Sequence, residues 1–226
     1  MTKFSPKTLD FLTENRLRDS RDWFKEHKPE FEEHVLEPMR CLVSVLAPTV
    51  LEIDGALITE PKVDKTISRV YRDTRFSKDK SLYREQMWIV FMRDHKLYEG
   101  PPAFFFEISP EGFRYGCGHY QAATADMQAL RELALEGNKA FLAAKKALDS
   151  QDVFELQGDV YKRPKYPDAP AELRPWLDRK NLFFCHDSTD AGLLFSDRLS
   201  GTIAEGFKSL APAYELLIAA RARVKK

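Results

Sequence analysis

The sequence predicts an α+β fold in which a central, mostly antiparallel sheet is flanked by amino-terminal and carboxy-terminal helices. Apolar residues recur at spacings of three and four near both ends of the chain, as amphipathic helices require. Segments typical of strands cluster in the middle, and a strict β-α-β alternation is absent. The 226 residues, 43% of them apolar and 31% charged, suffice for a buried core. We therefore expect one domain over residues 1–226, with its weakest seam near Ser150.

The amino-terminal third predicts helices. Ser5 followed by Pro6 is typical of a helix start, and Ser20 is a second candidate for a helix cap. Pro29 can open a further helix. The apolar residues after it keep helical spacing: Phe31, Val35, Met39, Leu42 and Leu46. Pro38 lies inside this stripe, so we expect it to kink or interrupt the helix.

The middle of the chain predicts strands. The extended segments are residues 66–76, 86–92, 103–108 and 112–120. Between the last two, the run Ser109-Pro110-Glu111-Gly112 predicts a hairpin turn. The run Phe104-Phe105-Phe106 predicts a buried strand, because phenylalanine is most often part of a core.

The last part of the chain returns to helices. Residues 124–136 predict a helix that ends at Gly137, and Asn138 can cap the helix that follows. Two short strands are expected over residues 154–161 and 181–186. Two apolar stripes at helical spacing then predict a closing pair of helices on either side of Pro212.

Composition excludes several classes of protein. Lys plus Arg and Asp plus Glu each number 35, so no global polybasic character draws the chain to nucleic acid or membranes. The three cysteines form no C-x-x-C pair, which argues against a disulfide framework or a cysteine zinc site. The first residues lack the apolar core of a signal peptide, and no run approaches about 20 apolar residues. We therefore expect a cytoplasmic protein with no membrane partner.

Residues 62–84 form the one unusual constellation. They hold eight basic and three acidic residues, a local net charge of +5 in a neutral chain. On a strand, Arg69, Tyr71, Asp73 and Arg75 would share one face, because side chains alternate with a period of two. Guanidinium groups suit two-point recognition of carboxylate or phosphate. The segment therefore predicts a site for a small anionic ligand.

The predicted ligand-binding residues have distinct roles. Three arginines would hold the anion: Arg69, Arg72 and Arg75. Asp73 would orient one of them or act as a base, Lys80 would add a charge, and Tyr83 would donate a hydroxyl. A second basic cluster, at Lys162 and Arg163 with Lys165 nearby, could add to the site. No residue set establishes a reaction, and the sequence carries no signal for an oligomeric state.

Two other interpretations of the basic segment stay open. A single-stranded nucleic-acid-binding module would need an open groove that joins residues 62–84 to residues 162–165, with accessible aromatic rings. A structural or interaction domain would instead use the motif as an internal salt-bridge network, with its arginines buried and paired. The large cationic excess favours external anions, because the three aspartates of the segment neutralise only part of it.

Metal and nucleophile candidates are weak. His27, Glu30 and His34 would align on one continuous helix, but Pro29 restarts the helix between them and the surrounding charges are typical of a solvated face. We expect no metal and no cofactor. Cys117, which lies two residues before His119, favours a small buried thiol over a catalytic one.

The glycines on either side of Cys117 indicate the close approach of another backbone or of a ligand. Both Gly116 and Gly118 lie in the predicted strand of residues 112–120. A strand glycine has no side chain to pack, so a neighbour can lie directly against it.

Several of these residues together resemble a bacterial family known as domain of unknown function 2461. The resemblance rests mainly on Arg69, Arg72, Asp73, Arg75, Phe76, Asp79, Lys80 and Tyr83. The stretch from Trp23-Phe24 to Pro38, the glycines before Tyr120, and the run from Gly158 to Lys165 are similar to the family as well. The resemblance covers nearly the whole chain. It implies a full-length domain of similar size and carries no agreed activity or cofactor.

Overall fold

Helices and strands occupy most of the predicted positions, and the α+β prediction is confirmed. The computed structural model describes residues 3–75, 77–94, 100–119 and 122–224. The α-helices are α1 (Pro6–Arg18), α2 (Arg21–Glu26), α3 (Lys28–Phe31), α4 (Glu37–Ile53), α5 (Thr124–Leu135), α6 (Lys139–Asp149), α7 (Arg174–Leu177), α8 (Ala191–Leu194), α9 (Arg198–Ser209) and α10 (Ala211–Val224). The strands are β1 (Met87–Met92), β2 (Ala103–Ser109), β3 (Gly112–Gly118), β4 (Glu155–Gln157) and β5 (Phe183–Ser188).

The chain divides into two compact units. The first unit comprises Met1–Phe91, Phe105–Tyr115 and Asp187–Ala204. The second unit comprises Met92–Phe104, Gly116–His186 and Glu205–Lys226. The expectation of one domain with a seam near Ser150 stays a prediction.

The five strands form one antiparallel sheet with the order β1-β2-β3-β5-β4. The predicted hairpin turn joins β2 to β3. Gly112 in this turn has a φ of 145°, and a Cβ atom there would lie 2.3 Å from the carbonyl oxygen of Ser188. Only glycine meets both demands. On β2, Phe104 and Phe106 are fully buried, as predicted for this strand.

The helix starts of the first unit follow the predicted caps. Pro6 occupies the first turn of α1, and the backbone N–H of Ser5 donates to the Thr8 hydroxyl at 3.1 Å. The Ser20 hydroxyl accepts from the backbone N–H of Trp23 at 3.3 Å and so caps α2. These bonds satisfy backbone N–H groups that have no hydrogen-bond partner at the start of a helix.

The long helix continues through Pro38, although the sequence predicted a kink or an interruption there. The chain stays helical from Lys28 to Ile53 and widens into one π turn, Glu32–Leu36, directly before Pro38. A proline has no N–H for the carbonyl four residues earlier, which here belongs to His34. The Thr8 hydroxyl donates to that carbonyl at 2.6 Å instead, so a contact from α1 replaces the missing helical bond.

The long helix supplies much of the core of the first unit. The five apolar residues predicted at helical spacing are each at most 6% exposed: Phe31, Val35, Met39, Leu42 and Leu46. Among the described residues, this helix alone is long and apolar enough to cross a membrane. That is weak evidence for a membrane span, because the core helix of a soluble domain has the same length and composition.

In the second unit, Phe104 packs against aromatic side chains of α9 and α10. The ring of Phe104 lies 5.0 Å from that of Tyr214 and 5.0 Å from that of Phe207, centroid to centroid. Gly137 ends α5 with a φ of 62°, and the Asn138 side chain accepts from the backbone N–H of Ala140 at 2.9 Å to start α6. Both capping predictions for this region are confirmed.

Candidate functional site

The basic segment of residues 62–84 is extended but is not a regular strand. Among the described residues, its isolated β bridges join Val63 to Ile67, Ile67 to Ile89 and Tyr71 to Tyr83. The strand predicted over residues 66–76 is therefore wrong as a continuous element, although its alternation holds. Arg69 and Tyr71 are exposed while Val70 between them is buried. Phe76 lies outside the described residues.

Hydrogen bonds to two aspartate side chains explain why the segment turns instead of continuing as a strand. Asp73 accepts the backbone N–H of Arg75 at 3.2 Å, and Asp79 accepts that of Ser81 at 2.9 Å. An aspartate that bonds the backbone two residues ahead imitates a turn and competes with strand pairing. The chain therefore turns at Asp73, inside the stretch of residues 66–76 that was predicted as a strand.

Asp19 anchors the far end of the basic segment. Its carboxylate accepts the backbone N–H groups of Leu82 at 2.6 Å and Tyr83 at 3.3 Å. Asp19 also ends α1 in a left-handed conformation, with a φ of 45°. Hydrogen bonds to a charged acceptor are stronger than neutral ones, so Asp19 fixes the segment to the helical part of the first unit.

The predicted arginines are each paired with a carboxylate of their own segment. Arg69 pairs with Asp64, Arg72 with Asp79 at 3.0 Å, and Arg75 with Asp73 at 2.7 Å. Lys80 donates to the carbonyl of Thr74 at 2.8 Å. The side chain of Arg72 is 30% exposed and that of Arg75 is 77% exposed. The motif is therefore paired and yet open to solvent, which fits neither a free cleft nor a buried network.

The two loop carboxylates are held in their charged form. The pKa of Asp73 is lowered to about 2, first by the hydrogen bonds from the Arg75 side chain and backbone. The pKa of Asp79 is also lowered, first by the hydrogen bonds from Ser81 and then by the charge of Arg72. Neither carboxylate has the raised pKa of a general acid.

Tyr83 lies under other aromatic rings. It is fully buried, and its ring lies 5.1 Å from that of Phe24 and 5.1 Å from that of Tyr71. Burial raises the pKa of Tyr83 to about 12. Tyr71, by contrast, keeps 49% of its surface exposed. Phe24 and Tyr83 therefore support Tyr71, which presents the accessible ring.

An open groove of about 520 Å³ lies on the exposed side of this aromatic cluster. One wall is formed by α2 and α3, and the other by residues 63–71. Its cationic lining consists of Arg21, Lys25, Lys28 and Arg69, and Tyr71 and Phe24 are among its aromatic residues. The cations of the helical wall come from two successive short helices, Arg21 and Lys25 from α2 and Lys28 from the first position of α3.

The cations of the helical wall lack carboxylate partners. Arg21, Lys25 and Lys28 are exposed, and no ion pair joins them to any carboxylate within the described ranges. Two carboxylates line the groove, and each is already engaged. Asp64 pairs with Arg69, and Glu32 pairs with Arg40 at 3.0 Å. The groove therefore keeps an excess of positive charge.

The predicted site residues are thus distributed over several places. Of the predicted set, Arg69 lines the groove. Lys162 and Arg163 belong to the second unit and are exposed. The sequence interpretation missed Arg21, Lys25 and Lys28, although their helical spacing was visible. The signal was masked by the intervening acidic residues of the same stretch.

The metal and nucleophile candidates have structural partners. His27 stacks on Trp23 at 4.2 Å, and its Nδ1 lies 2.8 Å from the Trp23 carbonyl oxygen. Within the described part of the chain, no group of three His, Cys, Asp or Glu side chains is placed to hold a metal ion. Cys117 is buried, and burial raises the pKa of its thiol, which removes the thiolate that a nucleophile needs.

The glycines beside Cys117 serve backbone packing. A Cβ atom on Gly116 would lie 1.9 Å from the carbonyl oxygen of Phe184, and one on Gly118 would lie 2.2 Å from Phe183. The prediction that another backbone approaches these glycines is confirmed. Tyr120, the next residue of that pattern, lies outside the described residues.

A family model described as "Conserved hypothetical protein (DUF2461)" matches residues 7–215. No curated protein matches the sequence.

Proposed function

The chain belongs to the DUF2461 family of conserved hypothetical proteins, and from this premise we propose that it binds a small phosphate- or carboxylate-bearing ligand in the groove of the first unit. The observation that carries the proposal is the convergence of Arg21, Lys25 and Lys28, which have no carboxylate partner among the described residues, on one open groove. The groove is the binding surface, and Arg69 contributes from the opposite wall.

Electrostatics support this assignment. Three like charges that line one groove repel one another, and none of them forms an ion pair with a described carboxylate. An anion bound between the walls would do so and would form charge-assisted hydrogen bonds with guanidinium and ammonium groups. The volume of about 520 Å³ falls within the range of small-molecule sites.

Tyr71 supports a ligand that carries a flat group beside its charge. Its half-exposed ring is held from behind by Phe24 and Tyr83, at centroid distances of 5.6 and 5.1 Å. A ring fixed in this way offers a stacking surface at low entropic cost. Small ligands with both a charge and a ring or sugar, such as nucleotides, match this combination.

The rest of the predicted motif supports the groove from outside. The Arg72–Asp79 pair and the Arg75–Asp73 pair hold the loop that follows Tyr71. We propose binding and no reaction, because both groove carboxylates are held by arginines and so are poorly placed as bases. The three cysteines form no disulfide, which supports a reducing, cytoplasmic location.

A single-stranded nucleic acid is the second candidate ligand. The exposed Tyr71 beside unpaired cations is the arrangement that stacks bases while neutralising phosphates. This candidate predicts a steep loss of affinity with salt, because counterions are released from the strand. Salt dependence therefore separates it from a small ligand.

The test is a thermal-melt screen followed by calorimetric titration of any hit. The probes are inorganic phosphate, sugar phosphates, nucleoside monophosphates, dicarboxylates and an oligothymidylate, at low and moderate salt. A ligand at one hundred times its Kd stabilises the folded state by about 2.7 kcal/mol, which is a visible shift. The double variant Arg21→Ala/Lys25→Ala removes two wall cations, and Lys7→Ala/Lys78→Ala removes two exposed cations that do not line the groove.

We expect a small anion to stabilise the wild type and the Lys7→Ala/Lys78→Ala control alike. The wall variant should bind it at least about tenfold more weakly, because a bond to a charged group contributes about 1.5–3 kcal/mol. Equal binding by both variants would contradict the groove assignment. A shift by oligothymidylate alone, lost at moderate salt, would favour the nucleic-acid candidate.

A further inference from the structure

A second cationic cluster surrounds the ring of Tyr161 in the second unit. The guanidinium carbon of Arg131 lies 5.6 Å from the ring centroid. The ammonium nitrogens of Lys165 and Lys180 lie 5.4 and 5.8 Å from the same centroid. We call these four residues the Tyr161 cluster. It shares no residue with the groove of the first unit.

Backbone hydrogen bonds fix the chain segments that carry the cluster. The N–H of Tyr161 donates to the carbonyl of Asp178 at 2.8 Å, and the N–H of Lys180 donates to the carbonyl of Asp159 at 2.7 Å. The N–H of Lys165 donates to the Asp178 carboxylate at 2.9 Å. The positions of Tyr161, Lys165 and Lys180 are therefore set by the fold.

Arg131 is fully buried and bonds only neutral groups. Its Nε donates to the carbonyl of Leu177 at 2.8 Å, and its Nη2 donates to the carbonyl of Arg179 at 2.6 Å. Its Nη1 is buried and has no hydrogen-bond partner among the described residues. Buried polar groups are almost always bonded, so this guanidinium leaves an uncompensated charge next to the Tyr161 ring.

No carboxylate neutralises the cluster. Within the described ranges, none of Arg131, Lys165 and Lys180 forms an ion pair. Asp178, which lies nearby, uses its carboxylate on the backbone of Lys165. A cation beside an aromatic ring is attracted to it by only about 0.5–1 kcal/mol at an exposed site. The ring leaves the mutual repulsion of three charges in place.

We propose that the Tyr161 cluster binds a phosphate group. A phosphate monoester carries a charge of about −1.5 to −2 at neutral pH and has three acceptor oxygens, which matches three cations better than a carboxylate does. The two exposed lysines would hold its oxygens, and the buried Arg131 would add its positive charge next to the same ring. The exposed Lys162 and Arg163 lie next to Tyr161 in the chain and extend the positive surface.

The test is calorimetric titration of the full chain with inorganic phosphate at low ionic strength, where screening is weak. The double variant Lys165→Ala/Lys180→Ala removes two cations of the cluster without touching the buried Arg131. The matched control, Lys139→Ala/Lys146→Ala, removes two lysines of α6 in the same unit. Arg21→Ala/Lys25→Ala reports any phosphate that binds in the first unit. Circular dichroism melts verify that each variant folds.

We expect the cluster variant to bind phosphate at least tenfold more weakly than the wild type, and the α6 control to stay within twofold. If Arg21→Ala/Lys25→Ala is the one variant that loses the heat of phosphate binding, the phosphate binds in the groove and the Tyr161 assignment is overturned. Equal losses in the cluster variant and the α6 control, or absence of phosphate binding in all proteins, would overturn it too.

Two further arms sharpen the ligand chemistry. Phosphate loses its second negative charge as the pH falls from 7.5 to 5.5, so its affinity should fall over that range, while that of sulfate stays constant. An equal fall for sulfate would show that the phosphate charge is not what the cluster recognises and would contradict the proposal. Oligothymidylate and a nucleoside monophosphate separate the two sources of a phosphate group. The probe whose binding is weakened by Lys165→Ala/Lys180→Ala identifies the source. If this variant weakens the binding of neither probe, the proposal is overturned.

Discussion

The basic segment of residues 62–84 and the Tyr161 cluster hold their cations in different ways. In the basic segment, each motif arginine faces a carboxylate from the same stretch of chain, as Arg72 faces Asp79 at 3.0 Å. In the Tyr161 cluster, Arg131 donates to backbone carbonyls, and all three cations lie near one aromatic ring. The first arrangement cancels charge locally, whereas the second retains it.

This difference shows why a dense basic motif is a poor guide to a binding surface. Charges paired within a loop stabilise the loop and leave little field for a ligand. The unpaired cations of the first unit lie instead on α2 and α3, in a stretch where acidic residues are equally common. Charge that remains after local pairing is the better indicator of an anion site.

The largest effect is expected at Arg131, whose cation is held by carbonyl groups. Arg131→Met keeps much of the side-chain volume but leaves the carbonyls of Leu177 and Arg179 without their donors. A buried acceptor left unsatisfied costs about 1–3 kcal/mol, so the free energy of unfolding should fall by about 3 kcal/mol. Urea denaturation at pH 7 measures it.

The control for Arg131 is Arg163→Met, which removes an exposed cation of the same unit and should change the free energy of unfolding by less than about 0.5 kcal/mol. A comparably small effect of Arg131→Met would mean that the carbonyls find other donors. The contrast between the two regions would then lose its energetic basis.

An intermediate effect is expected at Asp19, which holds the basic segment to α1. Asp19→Ala removes the acceptor for the N–H groups of Leu82 and Tyr83 and places alanine at a φ of 45°. We expect a loss of about 2 kcal/mol in the free energy of unfolding. Asp19→Asn keeps an acceptor oxygen and tolerates the left-handed conformation, so it should lose clearly less.

Urea denaturation of both Asp19 variants beside Asp10→Ala, an exposed position on α1, tests this expectation. Equal losses in Asp19→Ala and Asp10→Ala would indicate that the basic segment is held mainly by its own ion pairs. That outcome would reverse the interpretation of those pairs as local features of the loop.

The sequence predicted the parts of the fold that depend on short-range chemistry. Ser20 before α2, Asn138 before α6 and the turn at Gly112 each follow from the hydrogen-bonding or backbone needs of one residue. The alternation around Val70 was also readable, because burial of one face leaves a period of two whether or not a regular strand forms.

Long-range partners were beyond the sequence. The π turn before Pro38 depends on the Thr8 hydroxyl reaching the carbonyl of His34, a contact that spans 26 residues. Arg131 interrupts the apolar stripe of α5, and that interruption was visible, but the carbonyls that hold it come from 46 and 48 residues away. Residue types alone could not show whether an arginine meets a carboxylate, a carbonyl or a ligand.

The smallest effect on the free energy of unfolding is expected at the exposed pair of Asp73 and Arg75, and its size depends on pH. The pKa of Asp73 is lowered to about 2 by Arg75, below the ordinary value of about 3.9 in an unfolded chain. Because the pKa is lower in the folded state, the ionised carboxylate stabilises the fold at pH values above the unfolded-state pKa. This stabilisation is lost as the pH falls toward 2. Asp73→Asn should therefore be slightly less stable than the wild type at pH 7, and this difference should shrink as the pH falls from about 4 toward 2.

Paired urea titrations at pH 7, 4 and 2.5, with and without 0.5 M salt, measure this difference. Because Asp73 is 53% and Arg75 77% exposed, solvent screens the pair and salt should shrink the gap at pH 7 further. A gap as large as that of Asp19→Ala, unchanged by salt, would show that the motif pairs act together as one network. The basic segment would then resemble a structural core of charges, and the distinction between paired and unpaired cations would no longer separate scaffold from site.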